Sequence, residues 1–183
     1  MSARQRAWPR QWLMTDERVG DRLWGAIARL PGADAGLVFR HYATPPAERE
    51  ALARKIAEAC RARGIMLAIA GDADIAQALG ADLIHNPTAA TDLPFSKSVH
   101  TLDEAREASR SGAALVFVSP VNATQSHPDR APLGILVAMQ LAQAAGVPAI
   151  ALGGMSASAF AALPSGAFHG WAAIDAWVSN DGG

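Results

Sequence analysis

A polar loop that follows a short apolar run carries the densest group of candidate functional residues in the chain. The apolar run is Leu115–Val118, and hydroxyl, amide and imidazole side chains follow it in the loop as far as His127. Parallel α/β proteins present chemical groups in this way, at the carboxyl ends of buried strands. No carboxylate precedes Asp129, so the loop suits an anionic or neutral ligand better than a metal ion. The candidates are Ser119, Thr124, Ser126 and His127, and the alternative is a plain connection between a strand and a helix.

A pair of glycines is the candidate phosphate site. Gly153 and Gly154 follow a predicted strand and precede a helix for which Ser156 is the expected N-cap. Backbone N–H groups at such a position bind phosphate, and eight-stranded barrels often bind one after their last two strands. The alternative is an ordinary tight turn.

Two further side chains at predicted strand ends could act on a ligand. Arg40 ends the second strand, and a guanidinium there can hold a phosphate or carboxylate in a bidentate manner. The alternative role of Arg40 is to bind carbonyl groups at the rim. His100 closes the fifth strand and is a candidate general acid or base, with a rim residue bonded to the backbone as the alternative.

Several classes of site find no support in the sequence. No glycine-rich nucleotide-binding pattern occurs, and no cysteine and histidine set has zinc spacing. Ser119 is not set in a nucleophile elbow, which disfavours a Ser119–His127 catalytic pair. The net charge of −1 and the lack of a Lys/Arg run argue against a nucleic-acid partner.

Composition predicts one globular domain. Half of the 183 residues are apolar, which is enough for a core. The single Cys60 favours a reducing compartment, and neither a signal-peptide core nor a run of about 20 apolar residues is present. We therefore expect a cytoplasmic protein without a membrane partner, made of an N-terminal extension over residues 1–11 and one domain over residues 12–183.

Strand-like and helical patterns alternate along the whole chain. The predicted strands are residues 12–16, 36–41, 66–70, 83–86, 97–100, 114–119, 149–152 and 170–174. The predicted helices are residues 22–30, 45–63, 73–79, 102–111, 133–145 and 156 to about 163. Thr101 and Glu104 have the spacing of a capping box, and Asp16 and Asp175 are expected to cap short helices.

Eight strands separated by helices predict a compact α/β fold, the closed (β/α)8 or TIM barrel. A glycine turn recurs between helices and strands, at Gly32, Gly80, Gly112 and Gly166. The chain is shorter than the typical length of about 250 residues. Reduced helices after strands four and eight would account for the difference. A doubly wound open sheet is the structural alternative.

The order of these segments resembles the thiamine phosphate synthase / TenI family of (β/α)8 proteins. The resemblance spans nearly the whole chain, and the loop after strand six is its most specific part. The matching segments are Met14-Thr15-Asp16, Phe39-Arg40 and residues 80–85, 98–105, 119–134 and 149–155.

The resemblance implies a set of ligand contacts at the barrel mouth. The family's synthase displaces pyrophosphate from a pyrimidine methylene and joins the pyrimidine to a thiazole phosphate, with Mg²⁺ assisting. Arg40 and Ser98 match residues that contact the pyrophosphate. Thr124 and Ser126 match the loop around the thiazole, and Gly153 and Gly154 match the phosphate turn. The backbone of Ala172 and Ala173 matches the second half of that phosphate site.

The chain also departs from the family pattern. The Asn-Asp pair whose aspartate binds magnesium aligns with Ala70-Gly71, so no metal ligand is retained in register, although Asp72, Asp74 or Asp92 could replace it. A family lysine aligns with Tyr42, and another falls in the Ser126-His127 region. The TenI branch has a histidine where this chain has Pro120.

These observations predict a protein that binds a small phosphorylated heterocycle and has thiamine phosphate synthase activity. One alternative is a tautomerase that moves a proton on a thiazole phosphate, with His100 as acid and base. Another is a phosphate-binding protein without catalysis. Because the last helix is short, we also expect exposed Trp171 and Trp177 and, through them, a homodimer.

Overall fold

Eight parallel strands form a closed barrel in sequential order, β1 to β8. The computed structural model describes residues 7–124 and 131–178. The strands are β1 Gln11–Met14, β2 Ala35–Phe39, β3 Met66–Ala70, β4 Leu83–His85, β5 Phe95–Val99, β6 Leu115–Val118, β7 Ala149–Leu152 and β8 Gly170–Ala173. Each strand pairs with the next, and β8 pairs with β1. The barrel prediction is confirmed, and the open sheet is excluded.

Helices cover the outside of the barrel, and their lengths are uneven. They are α1 Arg22–Arg29, α2 Pro46–Arg63, α3 Ala73–Ala78, α4 Leu102–Arg110, α5 Ile135–Ala145, α6 Ala157–Ala161 and α7 Asp175–Val178. Residues 86–94, between β4 and β5, contain no helix, and α7 has four residues. The helices after β4 and β8 are therefore reduced, as predicted. Among the described helices, none is long and apolar enough to cross a membrane.

Sequence patterns located most elements to within two residues. β5 starts at Phe95, two residues before the predicted start at residue 97, because Phe95 and Ser96 pair with β4. α5 begins at Ile135 instead of residue 133, since Gly134 has a φ of 73° that a helix cannot contain. Glu17–Val19 and Gly32–Asp34 form short 3-10 turns that the patterns did not indicate.

Aromatic side chains fill the inside of the barrel below the strand ends. The rings of Trp12 and Phe117 meet edge to face at 5.5 Å, and Phe117 meets the His85 ring at 5.2 Å in the same way. The indole of Trp12 lies against the backbone of Gly36, where a side chain would collide with it. This packed interior forms the base beneath the mouth of the barrel.

The expectation of exposed tryptophans is wrong. Trp171 and Trp177 are 5% and 8% exposed, and their rings stack with centroids 5.1 Å apart. The Trp177 indole N–H also donates to the carbonyl of Trp12 at 3.0 Å. The two rings pack on each other where α7 is too short to cover the barrel. Because they are buried within one chain, they do not support a dimer.

Candidate active site

A cavity of about 250 Å³ opens where the carboxyl ends of the strands meet. Polar lining comes from Arg40, Tyr42, His85, Asn86, Ser98, His100, Ser119, Thr124 and Asp175. Apolar walls come from Met14, Pro120, Leu152, Met155, Ala173, Ile174 and Ala176, and Gly153 and Gly154 complete the rim. Ligand sites in proteins commonly combine apolar walls with a few converging polar groups.

The floor of the cavity is a hydrogen-bonded network between β4 and β5. His85 Nδ1 lies 3.0 Å from the hydroxyl of Ser96, and its Nε2 lies 3.2 Å from the hydroxyl of Ser98. Asn86 ties the two strands together, since its amide donates to Ser98 Oγ at 3.1 Å and its carbonyl oxygen accepts from the Ser98 N–H at 2.8 Å. Asn86 has a φ of 48°, a conformation that asparagine adopts more readily than most residues.

Burial keeps the His85 ring neutral. The side chain is 1% exposed, and removal from water lowers its pKa to about 3, with Arg40 and Lys97 acting in the same direction. The Asn86 amide donor lies 3.3 Å from Nε2, so Nε2 accepts and Nδ1 carries the proton that is donated to Ser96. The floor is therefore polar but uncharged, which suits a neutral heteroaromatic ring.

His100 and Ser119 meet on the next side of the mouth. His100 Nδ1 donates to the Ser119 carbonyl at 2.7 Å, and this bond fixes the orientation of the ring. Both residues line the cavity. The backbone N–H of His100 donates to the Glu104 carboxylate at 2.6 Å, so the capping box of α4 also anchors this residue.

Arg40 reaches the cavity from the end of β2 and is held there by the end of β1. Its Nε donates to the Thr15 carbonyl at 2.9 Å, and its Nη2 lies 3.5 Å from the carboxylate of Asp16. Burial lowers the pKa of Arg40 from its usual value, and Asp16 opposes that effect. Arg40 thus makes the predicted contact with a rim carbonyl and also lines the cavity, as the other prediction for this residue required.

The Gly153-Gly154 turn packs tightly against the loop after β6. Both residues have positive φ, 97° and 59°. A Cβ at Gly153 would lie 2.8 Å from the ring of Pro120, and one at Gly154 would collide with the carbonyl of Ala123. The two glycines are required by this contact between loops, whether or not a phosphate binds to them.

Eight of the predicted site residues are brought together around the cavity. They are Arg40, Ser98, His100, Ser119, Thr124, Gly153, Gly154 and Ala173. Ala172 lies in β8, where it pairs with Trp12 and Leu152, and it is fully buried. Ser126 and His127 lie outside the described residues, so their predicted contacts stay predictions.

Two floor residues that line the cavity were not among the predicted site residues. His85 ends β4 and Asn86 follows it, and the sequence signal for them is a polar pair directly after the buried residues Leu83 and Ile84. That signal also fits a plain strand end. Only the inward direction of the His85 ring, toward Ser98, identifies it as part of the floor.

Magnesium, which the family resemblance implies, does not fit the carboxylates of the described residues. Asp72 caps α3 through the N–H of Ile75 and lies 3.6 Å from Arg49, and Asp16 is paired with Arg18. Asp74 and Asp92 are exposed and do not line the cavity. Within residues 7–124 and 131–178, no group of three or more possible ligands converges. The predicted use of Mg²⁺ therefore rests on the resemblance alone.

Comparisons with a family model and with curated proteins point to the same family. Residues 21–177 match the family model of thiamine monophosphate synthase. The bifunctional thiamine biosynthesis protein ThiM/ThiE of Symbiobacterium thermophilum is 34% identical over 151 residues, which cover 75% of this chain and 31% of that protein. The chain thus spans about a third of the length of this bifunctional relative.

Two other relatives match over most of their own length. The thiamine-phosphate synthase of Roseiflexus castenholzii is 29% identical, with 91% of this chain and 80% of that protein covered. The solved structure of thiamine phosphate pyrophosphorylase from Pyrococcus furiosus superposes with a TM-score of 0.75 at 20% identity, over 94% of this chain and 89% of that one. With the family match over residues 21–177, these relatives confirm the predicted resemblance: the chain belongs to the thiamine monophosphate synthase family.

Proposed function

We propose that the protein is a transferase of thiamine biosynthesis that joins a thiazole phosphate to a pyrimidine carrying a pyrophosphate. The single observation that carries the proposal is the cavity at the barrel mouth. It combines Arg40, a neutral polar floor and the Gly153-Gly154 turn within one space. A cation, hydrogen-bond donors and apolar walls are the groups that a phosphorylated heteroaromatic ligand needs.

The phosphate of the thiazole is assigned to the rim between β7 and β8. Gly153 and Gly154 belong to the turn before α6, and the backbone of Ala172 and Ala173 leads into the opposite side of that rim. The family resemblance assigns both segments to the phosphate. Thr124 lines the same part of the cavity and could donate its hydroxyl to the ligand. The resemblance also assigns Ser126 to the thiazole loop, and His127 belongs to the same prediction.

Arg40 and Ser98 are assigned to the pyrophosphate. In the proposed step, the thiazole nitrogen forms a bond to the pyrimidine methylene as the bond from that carbon to the pyrophosphate oxygen breaks. The pyrophosphate takes the electron pair, and its developing charge is stabilised by the guanidinium of Arg40 and a hydrogen bond from the Ser98 hydroxyl. Apolar walls from Met14, Leu152 and Met155 limit the access of water to the methylene carbon. No step is assigned to a metal ion, because the described carboxylates do not fit one.

An assay with both substrates tests the proposal. Purified protein is incubated with hydroxyethylthiazole phosphate and hydroxymethylpyrimidine pyrophosphate, with Mg²⁺ and separately with EDTA, and thiamine phosphate is quantified. We expect formation of thiamine phosphate and its loss in Arg40→Met. Absence of product under both conditions, with folded protein, would contradict the transferase proposal.

Proton transfer on a thiazole phosphate is the second candidate. The observation in its favour is the position of His100, which lines the cavity and whose Nδ1 is held by the Ser119 carbonyl. This candidate predicts exchange of a ring-bound proton of the thiazole phosphate with solvent deuterium, measured by NMR. Exchange that is unchanged in His100→Ala would exclude this role.

Ligand binding without turnover is the third candidate. It is favoured by the absence of a fitting metal ligand set among the described residues. It predicts binding of the thiazole phosphate by calorimetry together with no product and no proton exchange.

The expected homodimer and the expected cytoplasmic location stay predictions. Sedimentation measures the first, and cell fractionation measures the second.

A further inference from the structure

Arg49 closes the carboxyl end of β3 from the first turns of α2. Its Nη2 donates to the carbonyl of Ala70 at 2.8 Å, and its side chain is only 11% exposed. The guanidinium lies over the ring of Phe39, 5.4 Å from the ring centroid, and Nη1 lies 3.6 Å from the carboxylate of Asp72. The contacts hold one fixed positive charge at this strand end.

Other oxygen atoms at the same strand end are also engaged. The carbonyl of Gly71 accepts from the Thr88 hydroxyl at 3.0 Å. Asp72 Oδ1 accepts from the Ile75 N–H at 2.9 Å, and its Oδ2 faces Arg49. Mg²⁺ binds oxygen ligands in a nearly octahedral arrangement, and it would have to displace these bonds while lying beside a guanidinium. Like charge and occupied oxygens both oppose a divalent cation here.

Among the described residues, one arginine and one carboxylate line the cavity. They are Arg40 and Asp175, and the buried His85 is neutral. Asp175 lies on the β8 side of the mouth, where it interacts with Arg18. A singly phosphorylated ligand adds a charge that Arg40 and backbone N–H groups can bind directly.

We propose that the barrel mouth binds a heteroaromatic monophosphate without a divalent cation, because Arg49 occupies the end of β3 where the family resemblance assigns a magnesium ligand. The inference rests on the proposed function only in its choice of ligand. The Arg49 guanidinium is a structural cation in this proposal, and it takes no part in chemistry.

Calorimetry with hydroxyethylthiazole phosphate tests the ligand arm of the proposal. We expect the dissociation constant in EDTA and in millimolar Mg²⁺ to agree within about twofold. Binding that is tighter with Mg²⁺ by about tenfold or more would overturn the proposal. Absence of binding in both buffers would instead contradict the proposed ligand. The measurement of Mn²⁺ binding to the protein alone then tests whether Arg49 excludes a divalent cation.

Electron paramagnetic resonance with Mn²⁺ as the probe tests the cation arm on the protein alone. We expect the wild type and the control Arg61→Met to leave Mn²⁺ free in solution. Arg61 lies in the same helix and also donates to a backbone carbonyl, that of Leu79, from a more exposed position. We expect Arg49→Met to bind Mn²⁺ about tenfold more than that control, with the gain lost in Arg49→Met/Asp72→Asn.

Two results of this experiment would overturn the proposal. One is a bound Mn²⁺ in the wild type that disappears in Asp72→Asn or Asp175→Asn. The other is an Arg49→Met variant that is folded by circular dichroism and binds no more Mn²⁺ than Arg61→Met. If Arg49→Met does not fold, Arg49→Gln takes its place in this comparison, since it removes the charge but keeps a group that can donate to the Ala70 carbonyl.

Discussion

Thr15 shows how single side chains position the mouth. Its hydroxyl accepts from the backbone N–H of Arg40 at 3.0 Å and lies 3.0 Å from Nδ1 of His41, and its carbonyl binds Nε of Arg40. One buried threonine thus orients two neighbouring residues of β2's carboxyl end. The terminal nitrogens of Arg40 are left directed toward Asp16 and the cavity.

Replacement of Arg40 by lysine should impair binding of the pyrophosphate substrate. A lysine cannot both donate to the Thr15 carbonyl and present a planar pair of donors. We expect a loss of about 1.5–3 kcal/mol, which is roughly 10- to 160-fold in kcat/KM. Steady-state kinetics measures it, with the exposed Arg54→Lys as the control. Equal kinetics in the two variants would contradict the role of Arg40.

His85 should make stability depend on pH. Its pKa is about 3 in the folded protein and close to 6.5 in the unfolded chain, so above pH 6.5 both states are neutral and its contribution is complete. As the pH falls below 6.5, the unfolded chain binds a proton that the folded protein does not bind. The free energy of unfolding then decreases by up to about 1.4 kcal/mol per pH unit.

Urea unfolding between pH 4.5 and 7 measures this contribution. We expect the wild type to lose stability toward pH 4.5 with a steeper slope than His85→Gln, whose side chain cannot take up a proton. Variants with parallel slopes would show that His85 is protonated in the folded protein. The comparison between slopes is needed because His41 also has a lowered pKa, caused by burial.

At the scale of elements, the loops after β6 and β7 form one unit. The N–H of Val121 donates to the Leu152 carbonyl at 2.8 Å, and the N–H of Asn122 donates to the Gly153 carbonyl at 3.1 Å. The pairing of the two strands therefore continues into their loops. The shape of the predicted phosphate turn depends on this contact, and so does the position of Thr124.

Alanine at Gly154 should be costly, since it adds both strain and a collision with Ala123. We expect a loss of about 1–2 kcal/mol from the left-handed backbone and a further 1–3 kcal/mol from the collision. Gly166→Ala is the matched control, because its φ is 77° and no atom lies within 4 Å of the added carbon. Urea unfolding measures both, and equal losses would contradict the packing argument.

The capping box of α4 joins helix stability to the mouth. The Thr101 hydroxyl accepts from the Glu104 N–H, while the Glu104 carboxylate accepts from the N–H groups of Thr101 and His100. We expect Thr101→Ala to lower the free energy of unfolding by about 1 kcal/mol. The exposed Ser109→Ala in the same helix should change it little, and a Thr101→Ala variant as stable as Ser109→Ala would contradict the capping role.

For the whole molecule, a short chain closes a full barrel by replacing helices with side-chain packing. α7 has four residues, yet Trp177 binds the Trp12 carbonyl and Arg29 donates to the carbonyl of Trp177 at 2.9 Å. These bonds join α7 to β1 and to α1. Buried aromatic residues thus cover this side of the barrel, where a longer helix would otherwise pack.

Trp177→Phe should destabilise the barrel without changing its state of association. The phenylalanine removes the hydrogen bond from the indole to the buried Trp12 carbonyl, which costs about 0.5–1.5 kcal/mol. Trp24, which is 43% exposed, supplies the control Trp24→Phe, for which we expect a loss below about 0.5 kcal/mol. Thermal unfolding and sedimentation measure the two outcomes. A change of association in Trp177→Phe alone would contradict the buried position of this ring.

The sequence by itself determined the barrel, the order of its elements and the family. The barrel and the order of its elements follow from local patterns, since apolar runs, helix caps and glycine turns recur at the spacing of a repeated unit. The family follows from the resemblance of its segments. Because parallel strands bring their carboxyl ends to one face, the same patterns were enough to bring Arg40, Ser98, His100, Ser119, Thr124, Gly153 and Gly154 to one cavity.

The tertiary structure alone decided which strand-end residues meet and which are enclosed. The floor made by His85 and Ser98, the closure of β3 by Arg49 and the burial of Trp171 and Trp177 all join residues that are distant in the chain or belong to different elements. Such contacts depend on strand register and on the direction of each side chain. Both are set by the packing of the closed barrel as a whole, so no local pattern of residue types contains them.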